Sequence, residues 1–332
     1  MLKLGIVQMN AEPLNVDGNL LKAERYIAKC AVDGAQLVVL PEMFNVGFHL
    51  GESLMMIAEP LDGKTVQWLK QQASSHNIYI TGSIYERYQE HFYNTMVMVG
   101  YDGSVQYYRK RNPTWSEAAV WRRSDVPGPG IFDTPFGRIG GVICFDSFAR
   151  ETYEGFKQSG VEAVVIIALW GANRSRSFFW RPDLLLSRTG LVLWSRIASE
   201  VVPYQHAKEL GVPVAFVNQS GTVRMTSPIP FPDWPVQNSF YDFIGKSHVR
   251  DGSGEVIARV DEGEIDSCLV VPIEIEPAPN RPEIKKSNIP PAYLGKDYYF
   301  VEPPLICKLF QVWFLSGLVP TEYEGRRLRH LF

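Results

Sequence analysis

Cysteine is scarce in this chain: 332 residues carry four, at positions 30, 144, 268 and 307. None stands in a CxxC pair, so neither a disulfide framework nor a zinc site is expected. The six histidines never fall as HxH or HExxH, and no metal site is predicted. A GxSxG elbow and a GxxxxGKS/T phosphate loop are both missing, and Gly128-Pro129-Gly130 is a rigid turn, not a dinucleotide fingerprint. No stretch reaches about 18 uninterrupted apolar residues, so no transmembrane helix is expected. Nor is either sign of charge in excess: 33 basic against 36 acidic residues leave a net charge of -3, with no electrostatic footprint for nucleic acid. Met1 to Asn10 enters directly on a strand pattern, so no signal peptide is expected and the reducing cytoplasm is the expected compartment.

What is present is an ordinary globular balance, 45% hydrophobic and 21% charged, long enough to bury a substantial core. Nearly continuous apolar runs at Gln36–Leu40, Ala163–Trp170 and Val214–Asn218 read as strands covered on both faces. Leu2–Met9, Ile78–Tyr85, His91–Gly100, Val105–Lys110, Phe240–Val249, Glu255–Val260 and Cys268–Ile273 read as further strands. Helical periodicity covers Asp17–Asp33, capped by Asp17, then Lys64–His76, Ala149–Lys157 and Arg181–Glu200. Pro113–Gly130 and Thr226–Val236 read as loops. The alternation of these elements predicts an α/β fold.

Three chemistry-bearing residues stand at predicted strand ends. Gly137–Asp146 (GRIGGVICFD) delivers Cys144 to the end of a short buried strand, in a strand-to-helix turn whose helix N-terminus would lower the thiol pKa. Pro41 stops the strand before it, and Glu42 follows at once. Val105–Lys110 closes on Arg109-Lys110-Arg111. Taken singly, each has a bland reading: a buried thiol acting as a small hydrophobe, a turn carboxylate, a solvated basic strand end. Together they form a set that performs acyl transfer without histidine. A carboxylate takes the thiol proton, and an ammonium with a backbone N–H stabilises the oxyanion.

The residues that carry this set resemble the nitrilase (carbon–nitrogen hydrolase) superfamily. Leu37–Phe44 (LVVLPEMF) is similar to its general-base motif, with Glu42 as the base. Tyr107–Glu117 (YYRKRNPTWSE) aligns Lys110 with the family lysine and Glu117 with its second, substrate-positioning glutamate. Gly137–Glu151 (GRIGGVICFDSFARE) carries Cys144 as nucleophile and the Phe145 N–H as oxyanion donor. Pro113-Thr114-Trp115 resembles true nitrilases, whereas Cys144-Phe145-Asp146 resembles the amidase and carbamoylase branches. Ala149-Arg150-Glu151 departs from the common Phe-Pro-Glu, and Lys110-Arg111-Asn112 from Lys-x-His. The resemblance covers Leu2 to Ile275. It implies a four-layer α-β-β-α sandwich of two mixed sheets, a Glu42–Lys110–Cys144 triad, no cofactor, and a homodimer or larger assembly. It also implies hydrolysis of a small-molecule amide, with nitrile or N-carbamoyl hydrolysis as the alternatives. A non-catalytic scaffold on the same fold is the non-enzyme alternative, disfavoured because all three groups are intact. Trp115, Trp121 and Trp170 are candidate pocket walls.

Residues 1–275 are thus expected to form the hydrolase domain, and 276–332 a proline-rich arm. Eight of the 23 prolines fall between Pro272 and Pro304. Leu305–Leu318 is predicted as an amphipathic helix, with Leu305, Leu309 and Trp313 beside Ile306, Phe310 and Phe314 on one face. A second subunit is its expected partner. The basic end at Arg326, Arg327 and Arg329 makes a membrane surface the less favoured one.

Overall fold

Ala163–Ala168 is six apolar residues in a row, every one of them buried, and a strand of that kind requires cover on both faces. The computed structural model, which describes residues 1–50, 53–114, 117–173, 197–225, 239–261 and 263–276, supplies that cover as a helix–sheet–sheet–helix stack. In chain order the strands are β1 (Leu2–Gln8), β2 (Leu37–Val39), β3 (Tyr79–Tyr88), β4 (His91–Val99), β5 (Val105–Arg109), β6 (Gly130–Thr134), β7 (Gly137–Ile143), β8 (Ala163–Ala168), β9 (Gly171–Asn173), β10 (Val214–Asn218), β11 (Ser220–Met225), β12 (Ser239–Ile244), β13 (His248–Arg250), β14 (Val256–Arg259) and β15 (Ser267–Ile273).

The first sheet has the order β15-β1-β2-β3-β4-β5 and the second β14-β13-β10-β8-β7-β6. Each is mixed. A parallel trio (β1, β2, β3 in one, β7, β8, β10 in the other) is flanked by antiparallel strands. Period-two alternation sorts the side chains. Leu4, Ile6, Val39 and Met96 join Ile139, Ile143, Val165 and Ile167 in the core between the sheets. Val7, Val38, Ile80 and Val97 face outward onto helices Val16–Val32 and Lys64–His76. Phe156 of helix Arg150–Ser159 and Leu210 of helix Val202–Leu210 cover the second sheet. Glycine decides the closeness of fit at β7. A Cβ on Gly141 would lie 2.4 Å from the Phe132 ring and 2.9 Å from the Met96 sulfur, and one on Gly140 2.6 Å from the Phe156 ring. Side chains, then, fill the space where the glycines permit close approach. A parallel bridge between Met9 and Gln219 stitches the sheets just past β1 and β10, so the carboxyl ends of both trios meet at one seam.

Several sequence expectations change. Phe240–Val249 is two strands in different sheets, because Gly245 and Lys246 both take left-handed backbone, at φ +59° and +60°, and turn the chain. β11, β12 and β9 form a small third sheet that periodicity did not suggest. The first helix is capped by Asn15, whose side chain accepts from the Gly18 N–H, while Asp17 sits in its first turn and pairs with Lys64. The Pro113–Gly130 segment contains a helical turn at Glu117–Ala119 and ends in β6. Most of Arg181–Glu200, Thr226–Val236, Trp115, and the segment expected to form the arm and the Leu305–Leu318 helix lie outside the described residues.

Candidate active site

The four strand ends at the seam each deliver one part of a site. β2 runs out through Leu40 and Pro41 to Glu42, which is fully buried. Its neighbour Met43 takes φ +54°, with its N–H donating to Ser83 Oγ at 2.9 Å, and Gln219 Nε2 donates to the Glu42 carbonyl at 2.8 Å. The backbone that carries the carboxylate is therefore held from both sheets. β5 ends at Lys110, whose N–H donates to the Asn94 carbonyl. The Lys110 side chain is 0% exposed, so it is no solvated strand end. β7 ends at Cys144, 4% exposed and at φ +51°. A non-glycine residue there carries strain that the surrounding packing must hold.

Lys110 Nζ lies 2.9 Å from Glu42 Oε1 and 2.9 Å from Glu117 Oε1, an ammonium caged between two buried carboxylates. Asn94 Nδ2 donates to Glu42 Oε1 at 2.7 Å, and the Leu169 N–H, just past β8, donates to Glu42 Oε2 at 3.0 Å. The far oxygen of Glu117 accepts from the Thr114 N–H at 2.7 Å. Burial pushes the Glu42 carboxyl up to about 7, with Glu117's charge adding to it, against the downward pull of Lys110 and Asn94. For Lys110 burial works against the charge, but the two carboxylates outweigh it, and its pKa stands well above the ordinary lysine value. The Cys144 thiol also stands well above its ordinary range, through burial and then Glu42's charge, although Lys110 and the Leu169 N–H pull it down. The expected lowering by a helix N-terminus is overturned. A 3-10 turn, Cys144–Phe148, separates the thiol from the helix that begins at Arg150.

Asp146 ties the nucleophile turn to the lysine segment. Its buried carboxylate accepts from Tyr108 Oη at 2.7 Å, the Asn112 N–H at 2.6 Å, Asn112 Nδ2 at 2.9 Å and the Arg111 N–H at 3.2 Å. Burial raises its pKa in spite of these donors. Phe145 follows the thiol and packs against Phe148 and Trp170. Trp170 is half-buried. Trp121 is 2% exposed, edge-on to Tyr85 in a cluster with Met43 and Leu169, so it backs the site from inside the core.

A family model for carbon–nitrogen hydrolases matches residues 3–276. The chain belongs to the carbon–nitrogen hydrolase family. Among its relatives, a nitrilase from Pyrococcus abyssi (strain GE5 / Orsay) is 35% identical over 167 residues, 49% of this chain and 63% of that protein. An (R)-stereoselective amidase from Pseudomonas sp is 33% identical over 168 residues, 50% of this chain and 59% of that one. These matches span less than two thirds of either relative's length. In fold, this family member superposes on the crystal structure of an amidase from Nesterenkonia sp. with a TM-score of 0.65 at 18% identity, over 84% of this chain and 93% of the other.

Of the residues singled out from sequence, Glu42, Lys110, Glu117 and Cys144 converge. Asn94, Asp146, the Leu169 N–H and Tyr241 were missed. Tyr241 donates to the Gly171 carbonyl at 3.0 Å, and its hydroxyl is raised by burial and by the charges of Cys144, Glu117 and Glu42. Asp146 was visible only as the last residue of the Cys144-Phe145-Asp146 motif, and Asn94 as a polar residue opening the apolar end of β4.

Proposed function

We propose that this chain hydrolyses the C–N bond of a small-molecule amide through a thioester formed on Cys144, with release of ammonia. The observation that supports this most directly is the Lys110 ammonium held between Glu42 and Glu117 beside a buried thiol on strained backbone. A carboxyl near 7 is poised to take a proton at neutral pH and to return it. Glu42 accepts the thiol proton as the sulfur attacks the amide carbon. The negative charge that forms on the carbonyl oxygen lies against Lys110 and the Phe145 N–H. Two of the three ammonium protons hold the carboxylates, which leaves one for that oxygen. The C–N bond breaks, the amine leaves with the proton from Glu42, and Glu42 then deprotonates the water that cleaves the thioester. Two findings on relatives agree with this reading. One relative is an amidase, and a variant of the Nesterenkonia amidase carries acrylamide added at its active-site cysteine.

A nitrile is the second reading, favoured by the nitrilase relative and by the Pro113-Thr114-Trp115 sequence. There the same attack gives a thioimidate in place of the tetrahedral amide adduct. An ammonia-release screen over paired amides, nitriles and N-carbamoyl compounds separates these cases. Amides should turn over fastest, and Cys144→Ala should remove all turnover. Activity retained in a folded Cys144→Ala protein would overturn both readings.

A further inference from the structure

Two cysteines that sequence spacing kept apart meet on the outer face of the first sheet. Cys30, on the buried side of helix Val16–Val32, is 0% exposed, and Cys268, on β15, is 7% exposed. The strand register explains the meeting. β1 and β15 are antiparallel, with Gly5 opposite Val270 and Val7 opposite Cys268, so Gly5, Val7, Val270 and Cys268 share the face that the helix covers. Gly5 has no side chain, and Cys30 comes down over it. A Cβ built there would lie 3.0 Å from the Cys30 Cβ and 3.1 Å from its sulfur. Diagonal neighbours across an antiparallel pair lie roughly 7–8 Å apart, with their Cβ atoms somewhat closer, so Cys268 stands beside the thiol that covers Gly5. The two thiols share one buried cluster and influence each other: the neighbouring thiol raises Cys30 and lowers Cys268, and Lys29 lowers Cys268 further.

We propose that Cys30 and Cys268 are a redox-active dithiol that peroxide converts to a disulfide, tying helix Val16–Val32 to β15. Cys268, the more exposed and the more thiolate-like, attacks first. Its sulfur forms a bond to one peroxide oxygen, the O–O bond breaks and hydroxide leaves, giving a sulfenic acid. Cys30 then attacks that sulfur. The S–S bond forms, the S–O bond breaks, and the hydroxyl leaves as water with the Cys30 proton. Two thiols are oxidised and one peroxide is reduced to two waters. The lack of CxxC pairs removes the sequence signal for a disulfide framework but does not bear on this pair, since its closeness comes from tertiary register.

The test uses the full chain in its folded state. Brief treatment with hydrogen peroxide is followed by alkylation, unfolding, and digestion without reduction. The expected result is a Cys30–Cys268 cross-linked peptide lighter by two hydrogens, with both residues protected from alkylation, and a thermal midpoint raised on the order of 5 °C that dithiothreitol reverses. In Cys268→Ser the cross-link and the shift should both vanish while Cys30 is recovered as a thiol. Recovery of Cys30 and Cys268 as alkylated thiols in the wild type would overturn the proposal. So would a cross-link of either residue to Cys307, or Cys268 driven to sulfinic acid beside a free Cys30. The readouts are peptide masses and a melting temperature, so oxidation of Cys144 does not imitate them.

Discussion

Replacing Lys110 by methionine is the sharpest test of how this site is built. The substitution keeps most of the unbranched side chain and removes the charge that two buried carboxylates share, each at 2.9 Å. Neither carboxylate has water to turn to, since Glu42 is 0% and Glu117 3% exposed. Removing one partner of a buried ion pair costs about 3–5 kcal/mol, because the charge left behind is uncompensated. That is a large part of a typical stability of roughly 5–15 kcal/mol. With a urea dependence of about 3 kcal/mol per molar, the unfolding midpoint should fall by about 1 M or more at pH 7.5.

The pH dependence follows with a definite sign. Lys110 pulls the Glu42 carboxyl down, so its loss leaves the folded-state pKa higher still above the unfolded value. Between those two values the folded state binds the extra proton, and stability rises as pH falls. The deficit relative to wild type should therefore shrink between pH 7.5 and pH 5.5. A solvated strand end predicts unchanged activity and unchanged stability. An unfolding midpoint equal to that of the wild type at pH 7.5, or a deficit that widens at pH 5.5, would refute the caged lysine.

Two further outcomes rest on the same geometry. kcat/KM for the best amide should rise with pH through about 7 as Glu42 loses its proton, and Lys110 stays charged throughout because its pKa lies well above its ordinary value; a flat profile from pH 5.5 to 8.5 would remove Glu42 as the base. Asp146→Asn turns one acceptor of the clamp into a donor facing donors. It should lower kcat/KM by about 10–100-fold at a stability cost of about 1–3 kcal/mol with no shift of the pH midpoint, and wild-type turnover by the folded variant would show that the clamp does not position the site.

The strand-end placement of Glu42, Lys110 and Cys144 was legible because apolar runs with sharp stops mark where each strand delivers its next residue. What those runs hide is which way the residue then points. Lys110 follows Arg109 and precedes Arg111, and the three look alike on the page. In the fold Arg109 pairs with Glu86 beneath tyrosine rings, Arg111 reaches Glu151, and Lys110 alone turns into the seam. The roles of Asp146 and Asn94 went unread for a related reason: their partners Asn112 and Glu42 lie 34 and 52 residues away, past the ends of other strands, and only the packing of those strands brings them within 3 Å. Cys30 and Cys268 are the extreme case, 238 positions apart and joined through a glycine on a third element.

The resemblance assigns Glu117 to substrate positioning, and its place in the fold adds a second role to test. Its carboxylate touches Lys110, not open space, and its charge raises the pKa of Glu42. With Glu42 ionised the three groups sum to one negative charge, and with Glu42 protonated they sum to zero. In the mechanism proposed above, that balance would let Glu42 accept the thiol proton while the charge moves to sulfur and then to the oxyanion beside Lys110. Glu117→Gln removes the like charge while its amide oxygen can still accept from the ammonium. The Glu42 pKa should therefore fall, and the midpoint of the kcat/KM profile should move to lower pH. A group that only positions substrate would change kcat/KM by a constant factor at every pH. An unshifted midpoint in Glu117→Gln, whatever its activity, would therefore leave positioning as the whole of its role.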